Sequence, residues 1–123
     1  MKILLIEPNP ADARWLSIVL EESDYDCEVL TFNSSVQALA ILRPQVDLCA
    51  DLVIVNYNLP FIEVDEAIKR LSAIPCLANV PFAVTISQSF ERARVTATDL
   101  ILQKPLTEEQ LLPILAKAVS AQK

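Results

Sequence analysis

The sequence contains no histidine and no glycine among its 123 residues. The lack of histidine excludes serine–histidine and cysteine–histidine catalysis, most zinc sites and any phosphohistidine role. The lack of glycine excludes the phosphate-binding loops that depend on it, both GxGxxG and Walker A. Tight turns must use Asn, Asp and Pro instead. Because no activated nucleophile or base is visible in what remains, the sequence argues against an enzyme.

Cysteine is also scarce and shows no recognisable spacing. Cys27, Cys49 and Cys76 are odd in number, far apart and without a C-x-x-C pair. Disulfide frameworks and zinc sites usually show even numbers or closely spaced pairs of cysteines. We therefore expect three buried thiols that pack as small hydrophobic side chains.

Long apolar runs and clustered positive charge are missing as well. No run approaches the roughly 18 residues that cross a bilayer, and the opening MKILLIEPNP is predicted to be a strand and not a signal peptide. We expect a cytoplasmic protein without membrane contact. The net charge is −6 and the Lys and Arg residues are scattered, which disfavours direct nucleic-acid binding. A hydrophobic content of 53% is ample for the core of one domain covering residues 1–123.

Short apolar runs alternate with amphipathic segments along the chain, which predicts a parallel sheet covered by helices on both faces. Asn9 and Pro10 are suited to opening a helix, and Thr107 with Gln110 has capping-box spacing. Pro113 should kink the last helix or delay its start. The predicted strands cover residues 2–6, 28–32, 53–55, 81–85 and 100–102. The predicted helices cover residues 9–22, 34–42, 63–73, 88–97 and the stretch that begins at 107.

Polar residues follow four of the five predicted strands. In a doubly wound sheet, ligands bind beyond the carboxyl ends of the strands, where the strand order reverses. This edge is therefore the expected functional pocket. The residues delivered there are Glu7 with Pro8, Asn56 with Asn58, Thr85 with Ser87, and Lys104 with Pro105.

Four stretches taken in order, ILLIEPNPADARWL, DLVIVNYNLP, PFAVTIS and LILQKPL, resemble the receiver domains of two-component response regulators. The resemblance covers essentially the whole chain. It implies an α/β fold, a doubly wound five-stranded parallel sheet with strand order 2-1-3-4-5, flanked by five helices. No single stretch is specific, but their order and spacing are.

The resemblance also implies roles for the pocket residues. In receivers an acidic pair binds Mg²⁺ with the help of a backbone carbonyl, and an aspartate accepts a phosphoryl group from a histidine kinase. A hydroxyl residue and a lysine contact the phosphoryl oxygens, the Lys-Pro bond is usually cis, and an aromatic residue changes rotamer. By position, the acidic pair falls on Glu7 and Pro8, the carbonyl on Asn58, the acceptor on Asn56, the hydroxyl on Thr85, the lysine on Lys104 and the aromatic on Ile101.

Three of these positions depart from the receiver pattern. Asn56 has a carboxamide, which cannot attack phosphorus as a carboxylate does. Pro8 removes one of the two metal carboxylates, so Mg²⁺ binding should be weak or absent and no cofactor is expected. Ile101 has no ring to swing and few rotamers. Together the departures predict a natural pseudo-receiver.

Simpler interpretations remain open for the same residues. Asn56 can serve as a structural cap that bonds Lys104 or the loop backbone. Lys104 is explained as well by a pair with Glu7 as by phosphate contact. Glu7 is equally explained as a solvated carboxylate. Thr85 by itself is no evidence for a phosphate contact, because threonine is common at strand ends.

Two surfaces are candidates for binding a partner. Trp15 and Ile18 lie at the edge of the apolar stripe of the first helix, where core packing is the alternative interpretation. Phe90, Arg94 and Gln103 belong to the second face, which the resemblance implies is often used by receivers.

The leading hypothesis is a signalling module that binds its partner without phosphorylation. The partner would be a histidine kinase, an output domain, another regulator or a second copy of the chain. One alternative is a phosphoacceptor that uses a displaced carboxylate, for which Glu7 is nearest. The other is a small-anion site formed by Asn56, Thr85, Ser87 and Lys104.

Overall fold

Five parallel strands form one sheet in the order β2-β1-β3-β4-β5. The computed structural model describes residues 1–32, 49–60 and 62–121. The predicted sheet and strand order are confirmed. The strands are β1 (Lys2–Ile6), β2 (Glu28–Phe32), β3 (Leu52–Asn56), β4 (Phe82–Ile86) and β5 (Leu100–Gln103).

Helices cover the sheet between these strands. The described α-helices are α1 (Pro10–Glu21), α2 (Val64–Ser72) and α3 (Glu108–Ala121). Two short 3₁₀ helices are η1 (Pro75–Leu77) and η2 (Ser89–Arg94). The helix predicted over residues 34–42 lies outside the described residues. Within the described ranges, no helix has the length and apolarity needed to cross a membrane.

The caps predicted for the first and last helices are present, one of them in altered form. Asn9 Oδ1 accepts hydrogen bonds from the amides of Ala11 at 2.9 Å and Asp12 at 3.2 Å. Thr107 Oγ1 accepts from the amide of Gln110 at 3.3 Å. The Gln110 side chain does not complete the capping box; it bonds the chain before α3 instead. The helix begins at Glu108 and continues through Pro113, so its start is not delayed.

The helix predicted over residues 88–97 is present in a shorter form, as the 3₁₀ helix η2, which ends at Arg94. In an α-helix, the next amides would bond carbonyls four residues earlier. Here the amides of Thr96 and Ala97 donate to the carboxylate of Asp65 on α2, each at 3.1 Å. Burial raises the pKa of Asp65, but bonds from the Thr96 hydroxyl and these two amides outweigh it and hold the pKa below 3.8.

The core lies on both faces of the sheet. Ile3 and Leu5 of β1 point towards α1 and α3, whereas Leu4 and Ile6 point towards the face covered by α2. Leu71 of α2 is fully buried in the second cluster. Because both faces are covered, the central strands are apolar at nearly every position, and this explains why the sequence shows them as continuous runs.

The expectation of three buried thiols is wrong. Cys49 and Cys76 form a disulfide with their Cα atoms 5.3 Å apart, and Cys49 is exposed. Only Cys27 is a free thiol in the described part of the chain, and it is half-buried. Cys49 precedes β3 and Cys76 lies in η1 before β4. Since β3 and β4 are neighbours in the sheet, their amino ends bring together cysteines that are 27 positions apart.

Candidate functional site at the carboxyl edge of the sheet

The carboxyl ends of β1, β3, β4 and β5 meet at one edge and bring the predicted pocket residues together. Asn56 and Thr85 are register partners on β3 and β4. Glu7 follows β1 and Lys104 follows β5, and their side chains are in direct contact. The Lys104–Pro105 peptide bond is cis, as the resemblance to receivers implies.

An ionic bridge centred on Lys104 occupies the middle of the pocket. Its Nζ donates to Glu7 Oε1 at 2.6 Å and to Asp12 Oδ2 at 2.8 Å. Burial lowers the pKa of Lys104, but the hydrogen bonds to Asp12 and Glu7 and their negative charges outweigh it and raise the pKa above 10.5. The ion pair between Lys104 and Glu7, one of the two interpretations of Lys104, is therefore present. Glu7 is not solvated, because it is only 2% exposed.

Asp12 was missed by the sequence reasoning, which considered only residues directly after strands. It lies in the first turn of α1. A carboxylate is favoured there because the helix amides and dipole are positive at that end. The start of α1 lies beside the end of β1. An acidic residue in this first turn was therefore the feature of the sequence that could have indicated a pocket role for Asp12.

Both polar atoms of the Asn56 carboxamide form hydrogen bonds within the protein. Its Nδ2 donates to the backbone carbonyl of Asn58 at 3.1 Å, and its Oδ1 accepts from Thr85 Oγ1 at 3.2 Å. The side chain is 7% exposed, so both bonds are largely shielded from water. The interpretation of Asn56 as a structural cap is correct for its bond to the loop backbone. Lys104, the other partner considered, bonds the carboxylates of Glu7 and Asp12 instead.

A second residue absent from the prediction, Glu91, connects the loops around the pocket. It is buried, and its Oε1 accepts from the amides of Ser87 at 2.9 Å and Gln88 at 2.7 Å. Its Oε2 accepts from Asn58 Nδ2 at 3.4 Å. The feature of the sequence that could have indicated this role of Glu91 was its spacing from Gln88, since the two residues form a capping box at the start of η2.

The other two departures from the receiver pattern lie where the resemblance places them. Pro8 is half-buried next to Glu7 and offers no carboxylate. Ile101 is half-buried and packs against the apolar cluster on the α2 face of the sheet. An aliphatic side chain anchored in this way contributes packing to that cluster.

The candidate partner surfaces differ in exposure. Trp15 is 53% exposed, with its Nε1 donating to the carbonyl of Leu106 at 3.0 Å, so the interpretation as core packing is wrong. Ile18 is also exposed. Phe90 is 57% exposed, and the Arg94 guanidinium carbon lies 5.0 Å from its ring centroid.

Gln103, placed on the second surface by the sequence, has a mainly internal role. Its Nε2 donates to the carbonyls of Ser87 at 3.0 Å and Lys104 at 3.3 Å. Its amide donates to Gln110 Oε1 at 3.1 Å. The side chain is half-buried and joins the loop after β4 to the loop after β5.

Comparison with known proteins agrees with this geometry, although no family model matches the chain. The chain is 27% identical over 121 residues to the response regulator Rcp1 of Synechocystis, covering 95% of this chain and 82% of that protein. A response regulator receiver domain from Clostridium thermocellum superposes with a TM-score of 0.77 at 21% identity, covering 98% of this chain and 95% of its own.

The receiver domain of the sensor histidine kinase PA1611 from Pseudomonas aeruginosa, solved with magnesium in its active-site cleft, has a TM-score of 0.78 at 20% identity. The match covers 97% of each chain. The sequence match to Rcp1, the strand order 2-1-3-4-5 and the polar residues at the carboxyl edge of the sheet thus agree. The chain therefore has the fold of CheY-like receiver domains, and its sequence is similar to that of a response regulator.

Proposed function

We propose that this chain is a response-regulator receiver domain of two-component signalling and, within that family, a pseudo-receiver, which signals by contact with a protein partner and without accepting a phosphoryl group. The observation that carries the proposal is Asn56, a buried carboxamide at the end of β3 with both of its polar atoms bonded internally. An amide nitrogen has a delocalised lone pair and an amide oxygen has no full charge. Neither atom forms an acyl phosphate as a carboxylate does.

The donor set at the pocket does not fit Mg²⁺. Mg²⁺ requires several hard oxygen ligands in octahedral geometry. The carboxylates of Glu7 and Asp12 are both bonded by Lys104 Nζ, and the Asn58 carbonyl accepts from Asn56 Nδ2. Among the described residues, no group of three or more His, Cys, Asp or Glu side chains is placed to hold a metal. The lysine ammonium supplies the positive charge at this position.

A single resting conformation is consistent with the same contacts. Thr85 Oγ1 already donates to Asn56, so its hydroxyl is directed into the pocket without a phosphoryl group. Ile101 is half-buried, packs against the core and has few rotamers. The partner-binding state would therefore be the state in which the protein folds. Its binding equilibrium would not depend on kinase activity.

Neither alternative function is favoured by a specific contact. Glu7, the nearest displaced carboxylate, has Oε1 only 2.6 Å from Lys104 Nζ and is almost fully buried. A small anion in the pocket would need the charge of Lys104, which two carboxylates already neutralise. Both alternatives would require the ionic bridge to break first.

The partner is proposed to be a cytoplasmic signalling protein: a kinase, an output domain, another regulator or a second copy of this chain. Four of the exposed apolar and cationic side chains are proposed to contact it: Trp15, Ile18, Phe90 and Arg94. Aromatic and arginine residues are the usual anchors of protein interfaces. We propose no catalytic activity for the domain.

The test is an amide NMR titration of the ¹⁵N-labelled protein with Mg²⁺ and then beryllofluoride, combined with intact mass measurement after exposure to acetyl phosphate. We expect no shifts at Glu7, Asn56, Thr85 and Lys104 and no added phosphoryl group. The double substitution Pro8→Asp and Asn56→Asp should restore Mg²⁺-dependent shifts and phosphorylation. Asn79→Asp, an exposed amide away from this edge, is the matched control and should restore neither.

Two results would contradict the proposal in different ways. Stoichiometric Mg²⁺-dependent phosphorylation of the natural chain would show that a carboxylate still acts as acceptor. Failure of the double variant to bind Mg²⁺, despite a native spectrum, would show that the receiver roles were transferred to the wrong positions.

A further inference from the structure

The Cys49–Cys76 disulfide lies at the amino edge of the sheet, opposite the pocket. It joins the segment before β3 to η1, which precedes β4. Cys49 is exposed and Cys76 is half-buried. Cys49 is therefore the more accessible of the two residues to a soluble thiol or disulfide.

Both cysteines are attached to segments that hydrogen bonds and packing fix independently of the disulfide. Two residues after Cys49, the amide of Asp51 donates to the carbonyl of Lys2 at 2.7 Å, and the amide of Lys2 donates to Asp51 Oδ2 at 2.7 Å. Next to Cys76, Leu77 is fully buried, and its amide donates to the carbonyl of Ile74 at 2.9 Å. None of these contacts involves the disulfide, so we expect the two sulfurs to stay within reach of each other after reduction.

We propose that Cys49 and Cys76 form a reversible redox site that exchanges with low-molecular-weight disulfides of the glutathione class. The Cys49 thiolate attacks one sulfur of glutathione disulfide, forming a mixed disulfide and releasing one glutathione. The Cys76 thiolate then attacks the Cys49 sulfur and releases the second glutathione. The two protein thiols lose two electrons and two protons, and one glutathione disulfide is reduced to two glutathione molecules.

The inference goes beyond the proposed function and rests on it only for the reducing, cytoplasmic compartment. Disulfides in reducing compartments are usually transient and redox-sensing, and an exposed cysteine is accessible to reduction. Closing a loop across 27 positions restrains the unfolded chain. Oxidation should therefore raise the thermal midpoint by roughly 10 °C. Its local effect should be confined to the amino edge of the sheet.

The test equilibrates the natural chain anaerobically in glutathione buffers of graded ratio, quenches with acid and labels free thiols with a maleimide. Intact mass should change from one label, on Cys27, to three labels as the buffer becomes more reducing. Hydrogen exchange at the Asp51 and Leu77 amides should accelerate in the reduced form. Exchange at the Lys104 amide, which donates to the carbonyl of Ile86 at the opposite edge, should not change.

Matched variants separate this pair from the free thiol. Cys27→Ser should keep the transition, now between no labels and two, whereas Cys49→Ser should abolish it. Three labels at every ratio would mean that the bond does not form in solution. One label at every ratio would mean a fixed structural bond. A stable glutathione adduct on Cys49 would mean that Cys76 cannot resolve it. Any of these results overturns the proposal and leaves the pocket untouched.

Discussion

Replacing Lys104 with methionine removes the ammonium group that joins β1, α1 and β5 at the pocket. In the folded protein Nζ lies 2.6 Å from Glu7 Oε1 and 2.8 Å from Asp12 Oδ2. Methionine keeps most of the apolar length of the side chain, so the substitution removes charge more than volume. The variant must then hold the buried carboxylate of Glu7 without its counter-charge.

The expected loss follows from the burial of the partners. Removing one member of a buried ion pair costs about 3–5 kcal/mol, because the other charge is left uncompensated. The Lys104 side chain is 15% exposed and that of Asp12 is 44% exposed, so water can compensate part of the loss. We expect a loss of about 3 kcal/mol in the free energy of unfolding. Adding Glu7→Gln should recover a large part of it.

The assay is urea unfolding at neutral pH under reducing conditions, followed by circular dichroism. With urea m-values of about 2 kcal/mol per molar, the midpoint should fall by roughly 1.5 M. The folded-state pKa of Lys104 is raised, so its stabilising contribution is complete below pH 10.5 and is lost as the pH rises through the folded value. The stability difference between the natural chain and Lys104→Met should therefore shrink only in strong alkali.

The exposed pair between Arg70 and Glu66 is the matched control. It joins residues four apart on α2, and both side chains are well exposed. Arg70→Met should cost only about 0.5 kcal/mol. If Lys104→Met costs no more than this control, the ionic bridge is not formed in solution. The reasoning about the pocket would then be wrong.

Three further substitutions test local features of the fold. Asp65→Asn should lower stability by about 1–2 kcal/mol at neutral pH, because it weakens the bonds to Thr96. Since the folded pKa of Asp65 is lowered, this contribution is present above pH 3.8 and lost as the pH falls through the folded value, as acid unfolding would measure. Asn9→Ala should cost about 1 kcal/mol in thermal unfolding, because it removes the cap of α1. Pro113→Ala should raise stability by about 1–3 kcal/mol, because it supplies an amide for the carbonyl of Glu109 inside α3.

Each of these has a clear opposing result. Asp24→Asn, an exposed carboxylate in a turn, should not alter acid unfolding. An equal effect of both aspartate variants would contradict the contacts of Asp65. Asn9→Ala without any loss would mean that the cap is replaced by water at no cost. A destabilised Pro113→Ala would mean that proline contributes more by restricting the unfolded chain than it costs in the helix.

Local patterns predicted most of the secondary structure and failed where distant residues intervene. The apolar runs predicted all five strands to within one residue at each end. In β3 and β4 every residue is buried, because a strand covered on both faces needs apolar residues nearly throughout, whereas β2 is half-buried or exposed along its length. The helix predicted over residues 88–97 ends early, at Arg94, and nothing nearby in the sequence shows that Asp65 accepts hydrogen bonds from the amides of Thr96 and Ala97. Tertiary hydrogen bonds beyond Arg94 thus accompany the end of this element.

The sequence by itself determined which chemistry the pocket can perform. Whether residue 56 has a carboxylate or a carboxamide is a property of the side chain and needs no coordinates. The same is true of the proline at position 8 and of the absent histidine and glycine. Tertiary structure alone decided which groups neutralise one another. Lys104 meets Glu7 across 97 positions and Asp12 across 92, and Cys49 meets Cys76 across 27. Such contacts depend on the order and direction of the strands, and no local pattern in the chain records them.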